Sequence, residues 1–202
     1  VGRFRVNMFV QSHGYGAAFR IIPDRPPLLD ALGFPSVVRQ LTTLQSGLVW
    51  IGGPTGSGKT TTLAAIVHEI NKTAQKHIIT IEDPIEFLHE PIRSVITQRQ
   101  VGAHIESFAE AVKSALREAP DVLVVGEVRE HETMQLALQA AETGVLCFGT
   151  LHTSSAPKTL SRVLDMAPED VREQMRATRA VHLRGVLAQH LVKRASGAGR
   201  IA

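Results

Sequence analysis

The stretch Gly53-Pro54-Thr55-Gly56-Ser57-Gly58-Lys59-Thr60 (GPTGSGKT) decides the fold, because it matches G-x-x-x-x-G-K-[ST] at every defined position. The apolar run LVWIG (48–52) precedes it, and TTLAAIVHEIN, from residue 61, has helical periodicity. A strand, a glycine turn and a helix are the context in which this pattern cradles phosphate. The alternative is an ordinary glycine turn, which the Lys-Thr pair and both flanks disfavour. The stretch therefore predicts a nucleoside triphosphate site.

The residue types in this loop have defined roles at a phosphate. Glycines let backbone N–H groups converge on phosphate oxygens, and the following helix N-terminus adds positive potential. Lys59 would supply a positive charge to the β- and γ-phosphates, and the Thr60 hydroxyl would ligate Mg²⁺. We therefore expect ATP and Mg²⁺ as ligands. The expected contact set is Pro54, Thr55, Gly56, Ser57, Gly58, Lys59, Thr60 and Thr61.

Beyond this loop, apolar runs that favour strands alternate with segments of helical periodicity. We expect strands at 48–52, 77–82, 121–126 and 145–151. We expect helices at about 60–71, 107–118 and 132–142. Unbroken apolar strands separated by helices are typical of a parallel sheet covered on both faces, so the sequence predicts an α/β fold.

After residue 156 the pattern is helical only. We expect helices at about 156–165 and 168–193. The second would begin at Pro168, with Glu169 and Asp170 in its first turn. The segment Gly197–Gly199 predicts a flexible tail.

A different pattern occupies the first 46 residues. Residues 3–9 and 17–22 alternate polar and apolar positions around turn glycines, which predicts a β-hairpin. Because two strands alone cannot bury a face, we expect the end of a truncated domain at 1–25. Prolines then mark a linker with two short helices at 26–46. The main domain would run over 47–202 with its C-terminal end truncated, in a piece of a longer chain.

Composition excludes several classes of protein. The chain has 202 residues, 44% hydrophobic and 20% charged, which is a globular balance. Its net charge of +3 contains no run of like charges, so nothing indicates nucleic-acid binding. The single cysteine, Cys147, excludes a disulfide framework and a four-thiolate zinc site. No apolar run reaches the roughly 18 residues of a transmembrane segment.

An acid follows the predicted strand at 121–126. P-loop proteins commonly place an aspartate at the end of this strand to hold Mg²⁺ or its water. Gly126 occupies that position here, so we expect Glu127 to be the metal-facing carboxylate. The alternative is a solvent-facing acid at the end of a strand.

Two further segments end predicted strands. TIEDPIE (80–86) carries three carboxylates, one of which could polarise water for attack on the γ-phosphate, although such clusters are commonly solvated loops. GTLHTS (149–154) supplies His152, which could sense the γ-phosphate through a hydrogen bond lost after hydrolysis. The alternative for His152 is a structural histidine.

The four segments together resemble the secretion and type IV pilus ATPase superfamily. GPTGSGKT is similar to its Walker A motif, TIEDPIEF to its aspartate box, DVLVVGEVRE to its Walker B motif and GTLHTSSAPKTLSRVLD to its histidine box. The resemblance spans essentially the whole chain and includes RFRVN and FRIIP, which resemble the end of a PAS-like domain. It implies a RecA-like P-loop ATPase core with a parallel-type central sheet, preceded by a truncated PAS-like domain and followed by helices.

The resemblance also implies residue roles. Glu86 falls on the catalytic glutamate of the aspartate box, Glu127 on the Walker B glutamate and His152 on the signature histidine. Lys59 completes the expected catalytic set. In the hexameric rings of this superfamily, arginines of the N-terminal domain reach phosphates at subunit interfaces. The candidates are Arg3, Arg5 and Arg20, with Arg117 and Arg129 as flanking cations and surface ion pairing as the alternative for each.

Within the superfamily, the chain most resembles the retraction ATPases that power twitching motility. Pilus assembly and type II secretion ATPases share the motifs but typically carry a tetracysteine zinc module, and no cysteine follows the segment 190–194 here. They remain the alternative. More distant alternatives are a RecA-like nucleic-acid-binding ATPase and a small-molecule kinase. The resemblance implies an inner-membrane pilus platform protein as partner and a peripheral position at the cytoplasmic face of the bacterial inner membrane.

Overall fold

The computed structural model describes residues 2–169, 172–195 and 200–201 of the chain. The strands are β1 (Arg3–Gln11), β2 (Gly14–Ile22), β3 (Gly47–Gly52), β4 (His77–Glu82), β5 (Val95–Gln100), β6 (Val122–Val125), β7 (Leu146–Leu151), β8 (Leu183–Ala188), β9 (Val192–Lys193) and β10 (Arg200–Ile201). The helices are α1 (Ser36–Leu41), α2 (Lys59–Thr73), α3 (Phe108–Leu116), α4 (His131–Glu142), α5 (Ala156–Asp165) and α6 (Arg172–His182), with a 3-10 helix at Leu29–Leu32.

The central sheet has six strands in the order β5-β4-β6-β7-β3-β8. Every neighbouring pair in it is parallel. Parallel neighbours need long crossover connections, and helices supply several of them. The predicted α/β fold with a parallel-type sheet is therefore confirmed.

Alternate strand residues face opposite sides of this sheet and build two hydrophobic cores. Leu48 and Trp50 of β3 belong to the core that contains apolar residues of α3 and α4. Val49 and Ile51 belong to the core beneath α2 and the 3-10 helix. Cys147 is fully buried in the first core, and burial raises the pKa of its thiol to about 12. The period of two along buried strands thus gives the sheet two covered faces.

The segment before the sheet follows the sequence-based expectation. β1 and β2 form an antiparallel hairpin in which Arg5 lies opposite Arg20. Large apolar side chains of this hairpin, such as Tyr15 and Phe19, are exposed. The 3-10 helix and α1 are the two short helices predicted after it. The PAS-like assignment and the domain boundaries stay predictions.

The prediction that only helices follow residue 156 was wrong. Residues 183–188 form β8, which pairs with β3 at one edge of the sheet, and β9 pairs with β10. The run LRGVLA combines helix-favouring residue types with only partial burial, so pairing with β3 overrides its local propensity. Asp170 and the predicted Gly197–Gly199 tail lie outside the described residues.

The sheet was also predicted without β5. This strand reads VITQRQ, and its polar residues lack the apolar run that identifies the central strands. It occupies the other edge, beside β4, where partly exposed positions accept polar side chains.

The topology places the motifs at one edge of the sheet. The P-loop follows β3, the aspartate box begins in the last residues of β4, Glu127 lies just beyond β6 and His152 follows β7. Because these strands are parallel, their carboxyl ends meet at one rim, where α/β proteins bind ligands. Among the helices that the structure describes, none is long and apolar enough to cross a membrane.

Candidate nucleotide site

The P-loop adopts a conformation that requires its glycines. Gly56 and Gly58 have φ of 76° and 91°, in the left-handed region that disfavours side chains. A Cβ on Gly53 would collide with the Ser57 side chain and lie 2.7 Å from the Gln189 carbonyl oxygen. The loop therefore exposes its backbone over the N-terminus of α2, which begins at Lys59.

Lys59 is held within this loop by its own backbone. Its Nζ donates to the carbonyl oxygens of Gly53 at 2.6 Å and Pro54 at 3.0 Å. Burial lowers the pKa of Lys59, and the nearby Glu127 carboxylate partly opposes that shift. The ammonium group is thus poised over the loop in a partly desolvated environment.

These features fit a polyphosphate. Ser57 Oγ is buried and lacks a hydrogen-bond partner among the described residues, so a donor faces the loop without an acceptor. The glycine turn, the helix N-terminus and Lys59 add backbone N–H groups and positive charge at the same point. Thr60 and Glu127 line the same cavity, and their oxygens are the ligand type that Mg²⁺ uses.

A cavity of about 410 Å³ brings most of the predicted site residues together. Those that line it are Thr55, Gly56, Gly58, Lys59, Thr60, Thr61, Glu86, Glu127, His152, Arg5 and Arg20. Pro54 instead lines a second cleft, which it shares with His152, and Ser57 is buried and lines neither cavity. Arg3 and Arg117 do not line the cavity.

Glu127 is fixed by backbone bonds on both sides. The N–H of Gly126 donates to the Ile81 carbonyl at 2.7 Å, and that of Val128 donates to the Thr150 carbonyl at 2.9 Å. A Cβ on Gly126 would lie 3.0 Å from the Ile81 oxygen, so the close approach of β6 to β4 favours glycine there.

The Glu127 carboxylate has two nitrogen-bearing side chains beside it. Arg129 Nη2 donates to Oε2 at 2.7 Å and its Nε lies 2.6 Å from Oε1, while His152 Nε2 lies 2.8 Å from Oε1. Burial favours the neutral acid, but Arg129 and His152 outweigh it and hold the pKa of Glu127 below its usual value. Glu127 is therefore ionised at neutral pH, as a metal ligand must be.

Glu86 contacts the hairpin of its own chain. Arg5 Nη2 donates to Glu86 Oε1 at 3.1 Å. Arg3 donates to the backbone oxygens of Glu86 at 3.4 Å and Ile85 at 3.5 Å. Arg20, opposite Arg5 in the hairpin, also lines the cavity. The three candidate arginines thus approach the site of their own subunit, whereas the resemblance implies action on a neighbouring subunit.

Glu82, the first acid of the predicted carboxylate cluster, also lines the cavity. Its Oε1 accepts hydrogen bonds from Thr80 Oγ1 at 2.7 Å and Gln98 Nε2 at 3.1 Å. Burial raises the pKa of Glu82, and these two donors oppose the rise. Glu82 is the last residue of β4 and lines the cavity. Its place at the end of a predicted strand is the sequence signal for this position.

Sequence reasoning missed two other residues near the loop. Gln189, just after β8, is buried, and it accepts a hydrogen bond from Thr62 at 2.8 Å through Oε1. Its N–H donates to the Gly52 carbonyl at 2.8 Å, so it supports the P-loop from behind. His89 lines the cavity, and burial lowers its pKa to about 4. Because a helix was predicted at about 168–193, nothing in the sequence placed Gln189 beside the P-loop.

The family model for "Type II/IV secretion system protein" matches residues 3–200 of this chain. The type IV pilus retractation ATPase PilT of Pseudomonas aeruginosa is 49% identical over 202 residues, which is all of this chain and 58% of that protein. A twitching motility protein of Neisseria gonorrhoeae is 50% identical over 202 residues, all of this chain and 54% of that protein.

The fold has a close counterpart among solved structures. The crystal structure of the pilus retraction motor PilT with bound ADP superimposes with a TM-score of 0.95 and 47% identity. The match covers 100% of this chain and 58% of that one. The chain thus spans little more than half the length of the relatives that it matches.

Proposed function

The chain belongs to the type II/IV secretion system protein family, and from that premise we propose that it is the motor portion of an ATPase. It would hydrolyse ATP to ADP and phosphate and drive retraction of type IV pili, the motion behind twitching motility. The observation that carries this proposal is the convergence of Lys59, Glu86, Glu127 and His152 on one cavity beside the P-loop.

The phosphate-binding part of the proposal rests on the loop. Backbone N–H groups from Thr55 to Thr61 would bind the phosphate oxygens, and Lys59 would exchange its two carbonyl partners for β- and γ-phosphate oxygens. Thr60 Oγ1 and the Glu127 carboxylate would hold Mg²⁺. When bound, Mg²⁺ would neutralise the charge that develops on the phosphate oxygens.

The hydrolytic part rests on Glu86. Its carboxylate would orient a water molecule toward the γ-phosphorus and accept the proton that the water releases. The new P–O bond would form to that water oxygen while the bond to ADP breaks. Arg5 reaches Glu86 at 3.1 Å, so a bound γ-phosphate could draw this arginine away and free the carboxylate.

The sensing part rests on His152. Its Nε2 contacts Glu127 at 2.8 Å, and it faces both the main cavity and the second cleft lined by α5. Loss of the γ-phosphate near Glu127 would therefore move His152 and alter the second cleft. We propose that this movement is passed to the next subunit of a hexameric ring.

Retraction is favoured over pilus assembly or type II secretion by two observations. The relatives matched at 49% and 50% identity are named for pilus retraction and twitching motility. The sequence contains one cysteine, Cys147, which cannot form the tetracysteine module of the alternative. The proposed partner is an inner-membrane pilus platform protein, met at the cytoplasmic face of that membrane.

Hydrolysis is tested by measuring phosphate release with ATP and Mg²⁺. Lys59→Ala should lower turnover by about 10²-fold or more, because a preorganised charge at the phosphates is lost. Lys113→Ala is the matched control, since Lys113 lies on α3 in a surface ion pair with Glu132. Equal turnover in the wild type and Lys59→Ala would refute the proposed phosphate site.

Retraction is tested with a chimera. Residues 3–200 would replace the matching segment of the Pseudomonas aeruginosa relative in cells that lack it. Restored twitching, lost again with Glu86→Gln, is expected. A chimera that hydrolyses ATP but restores pilus assembly in cells lacking the assembly ATPase, and no twitching, would contradict the retraction assignment.

A further inference from the structure

Two glutamines on the edge strand β5 face the segment that carries Glu86. Gln98 and Gln100 are two residues apart, so they lie on the same face of the strand. Each is only partly buried, and neither belongs to a hydrophobic core. Their side-chain hydrogen bonds instead go to the chain segment 82–89.

Gln98 bonds three separate groups of that region. Its Nε2 donates to Glu82 Oε1 at 3.1 Å and to the Phe87 carbonyl at 2.9 Å. Its Oε1 accepts from the His89 N–H at 2.9 Å. Reversing the amide would place its oxygen against two acceptors, so the network fixes its orientation. All the polar atoms of the side chain are therefore in use.

Gln100 holds the other side of the same segment. Its Oε1 accepts from the Ile85 N–H at 3.2 Å. Glu86 thus lies between two residues, Ile85 and Phe87, whose backbone groups are each bonded to a glutamine of β5. The buried ring of Phe87 anchors this segment as well.

The strand that carries these glutamines is itself firmly placed. β5 pairs with β4 along its whole length, with Gln98 opposite Thr80 and Gln100 opposite Glu82. Between them Arg99 forms an ion pair with Glu118, at 2.7 Å. A ladder of backbone hydrogen bonds and an ion pair therefore support the side chains that hold the loop.

We propose that Gln98 is a positioning residue of the hydrolytic site, which fixes the Glu86 segment and the Glu82 carboxylate to the central sheet, with Gln100 as a second fastening point. The role rests on the proposed ATPase function. Gln98 does not line the cavity and would act through the acids. Preorganised geometry matters because a misplacement of about 1 Å in a catalytic group costs about 10²-fold in rate.

The first experiment measures amide hydrogen exchange in the nucleotide-free protein. Gln98→Met keeps the side-chain length but removes its hydrogen bonds, so exchange at the His89 amide should rise about tenfold. Gln100→Ala should raise exchange at Ile85 and leave His89 unchanged. Gln135→Ala is the control, because Gln135 is an exposed residue of α4 away from the site. Unchanged exchange at His89 in Gln98→Met would overturn the proposal.

The second experiment measures steady-state hydrolysis by the same variants. For Gln98→Met we expect kcat to fall by about 10- to 100-fold with KM for ATP within about twofold, since positioning and not phosphate binding is impaired. A rise in KM with unchanged kcat would overturn the positioning role. If Gln98→Met does not fold, the kcat of Gln100→Ala tests the proposal in its place. An unchanged kcat in Gln100→Ala would then count against the proposal.

The two experiments separate this inference from the function on which it rests. A wild type that releases no phosphate from ATP would refute the ATPase proposal, while the exchange data would still report whether the glutamines fasten the loop. An active wild type with normal kcat in Gln98→Met would refute the positioning role alone.

Discussion

His152 Nε2 lies 2.8 Å from Glu127 Oε1, so a side chain that follows β7 is joined to one that follows β6 at the mouth of the cavity. The His152 side chain is 45% exposed and that of Glu127 is 16% exposed. The pair therefore connects a partly buried acid at the proposed metal position with a solvent-exposed imidazole.

The first prediction concerns this pair. His152→Ala should lower kcat by about tenfold, since one hydrogen bond to a charged group, about 1.5 kcal/mol, is lost. The melting temperature should stay close to that of the wild type, because much of the imidazole is solvent-exposed. His13→Ala, in the exposed turn of the hairpin, serves as control. A collapse of the melting temperature in His152→Ala would favour a structural role for this histidine.

The second prediction concerns the subunit on which Arg5 acts. Because Arg5 contacts Glu86 of its own chain at 3.1 Å, Arg5→Ala should lower kcat by about 10²-fold through loss of charge at the same site. Mixing Arg5→Ala with Lys59→Ala subunits should then restore no activity, since neither subunit has a complete site.

The mixed sample also tests the alternative arrangement. If the arginine acted on a neighbouring subunit, an Arg5→Ala site could be completed by the Arg5 of a Lys59→Ala partner. Phosphate release from the mixture well above the sum of the separate variants would contradict the own-chain assignment. Dilution to monomers provides a second check, because a shared site would lose turnover per subunit.

The third prediction concerns pH and stability. Burial, opposed by Thr80 and Gln98, raises the pKa of Glu82 above its ordinary value of 4.5, so the folded state holds this proton more tightly than the unfolded state. Its contribution to stability is present below that ordinary value and is lost as pH rises through the folded pKa. Glu82→Gln should therefore gain in melting temperature relative to the wild type as pH rises.

A matched variant gives the opposite trend. The pKa of Glu127 is lowered in the folded protein, because Arg129 and His152 outweigh the effect of burial. Its contribution is present above the ordinary value and is lost as pH falls through the folded pKa. The melting temperature of Glu127→Gln should thus fall relative to that of the wild type as pH rises. Thermal melts without nucleotide and metal, from pH 3 to 8, measure both; parallel curves would contradict the assignment.

The part of the fold that sequence predicted well is the part with strong local signals. The P-loop pattern predicts its own strand–turn–helix context, and the buried runs of β3, β4, β6 and β7 are mostly apolar. Their parallel arrangement then brings Glu86, Glu127 and His152 to the same rim. Proximity of these residues followed from the order of motifs and the α/β fold.

The strands of the central sheet that were not predicted, β5 and β8, lie at its two edges. β5 and β8 are only partly buried, so they lack a continuous apolar run, and pairing with β4 and β3 decides their structure. The residues that they contribute, Gln98 and Gln189, are neutral amides with no spacing that marks a site. Their roles arise from contacts between distant parts of the chain, which the sequence alone does not reveal.

The most direct measurement of the central claim compares ATP binding and turnover in Glu86→Gln. The variant keeps the P-loop, so the Kd for ATP with Mg²⁺ should stay within about threefold of the wild type. Phosphate release should fall by about 10²- to 10⁴-fold, because the carboxylate that would accept the proton of water is gone. Tight binding with lost turnover is the predicted result; normal turnover in Glu86→Gln would contradict the account.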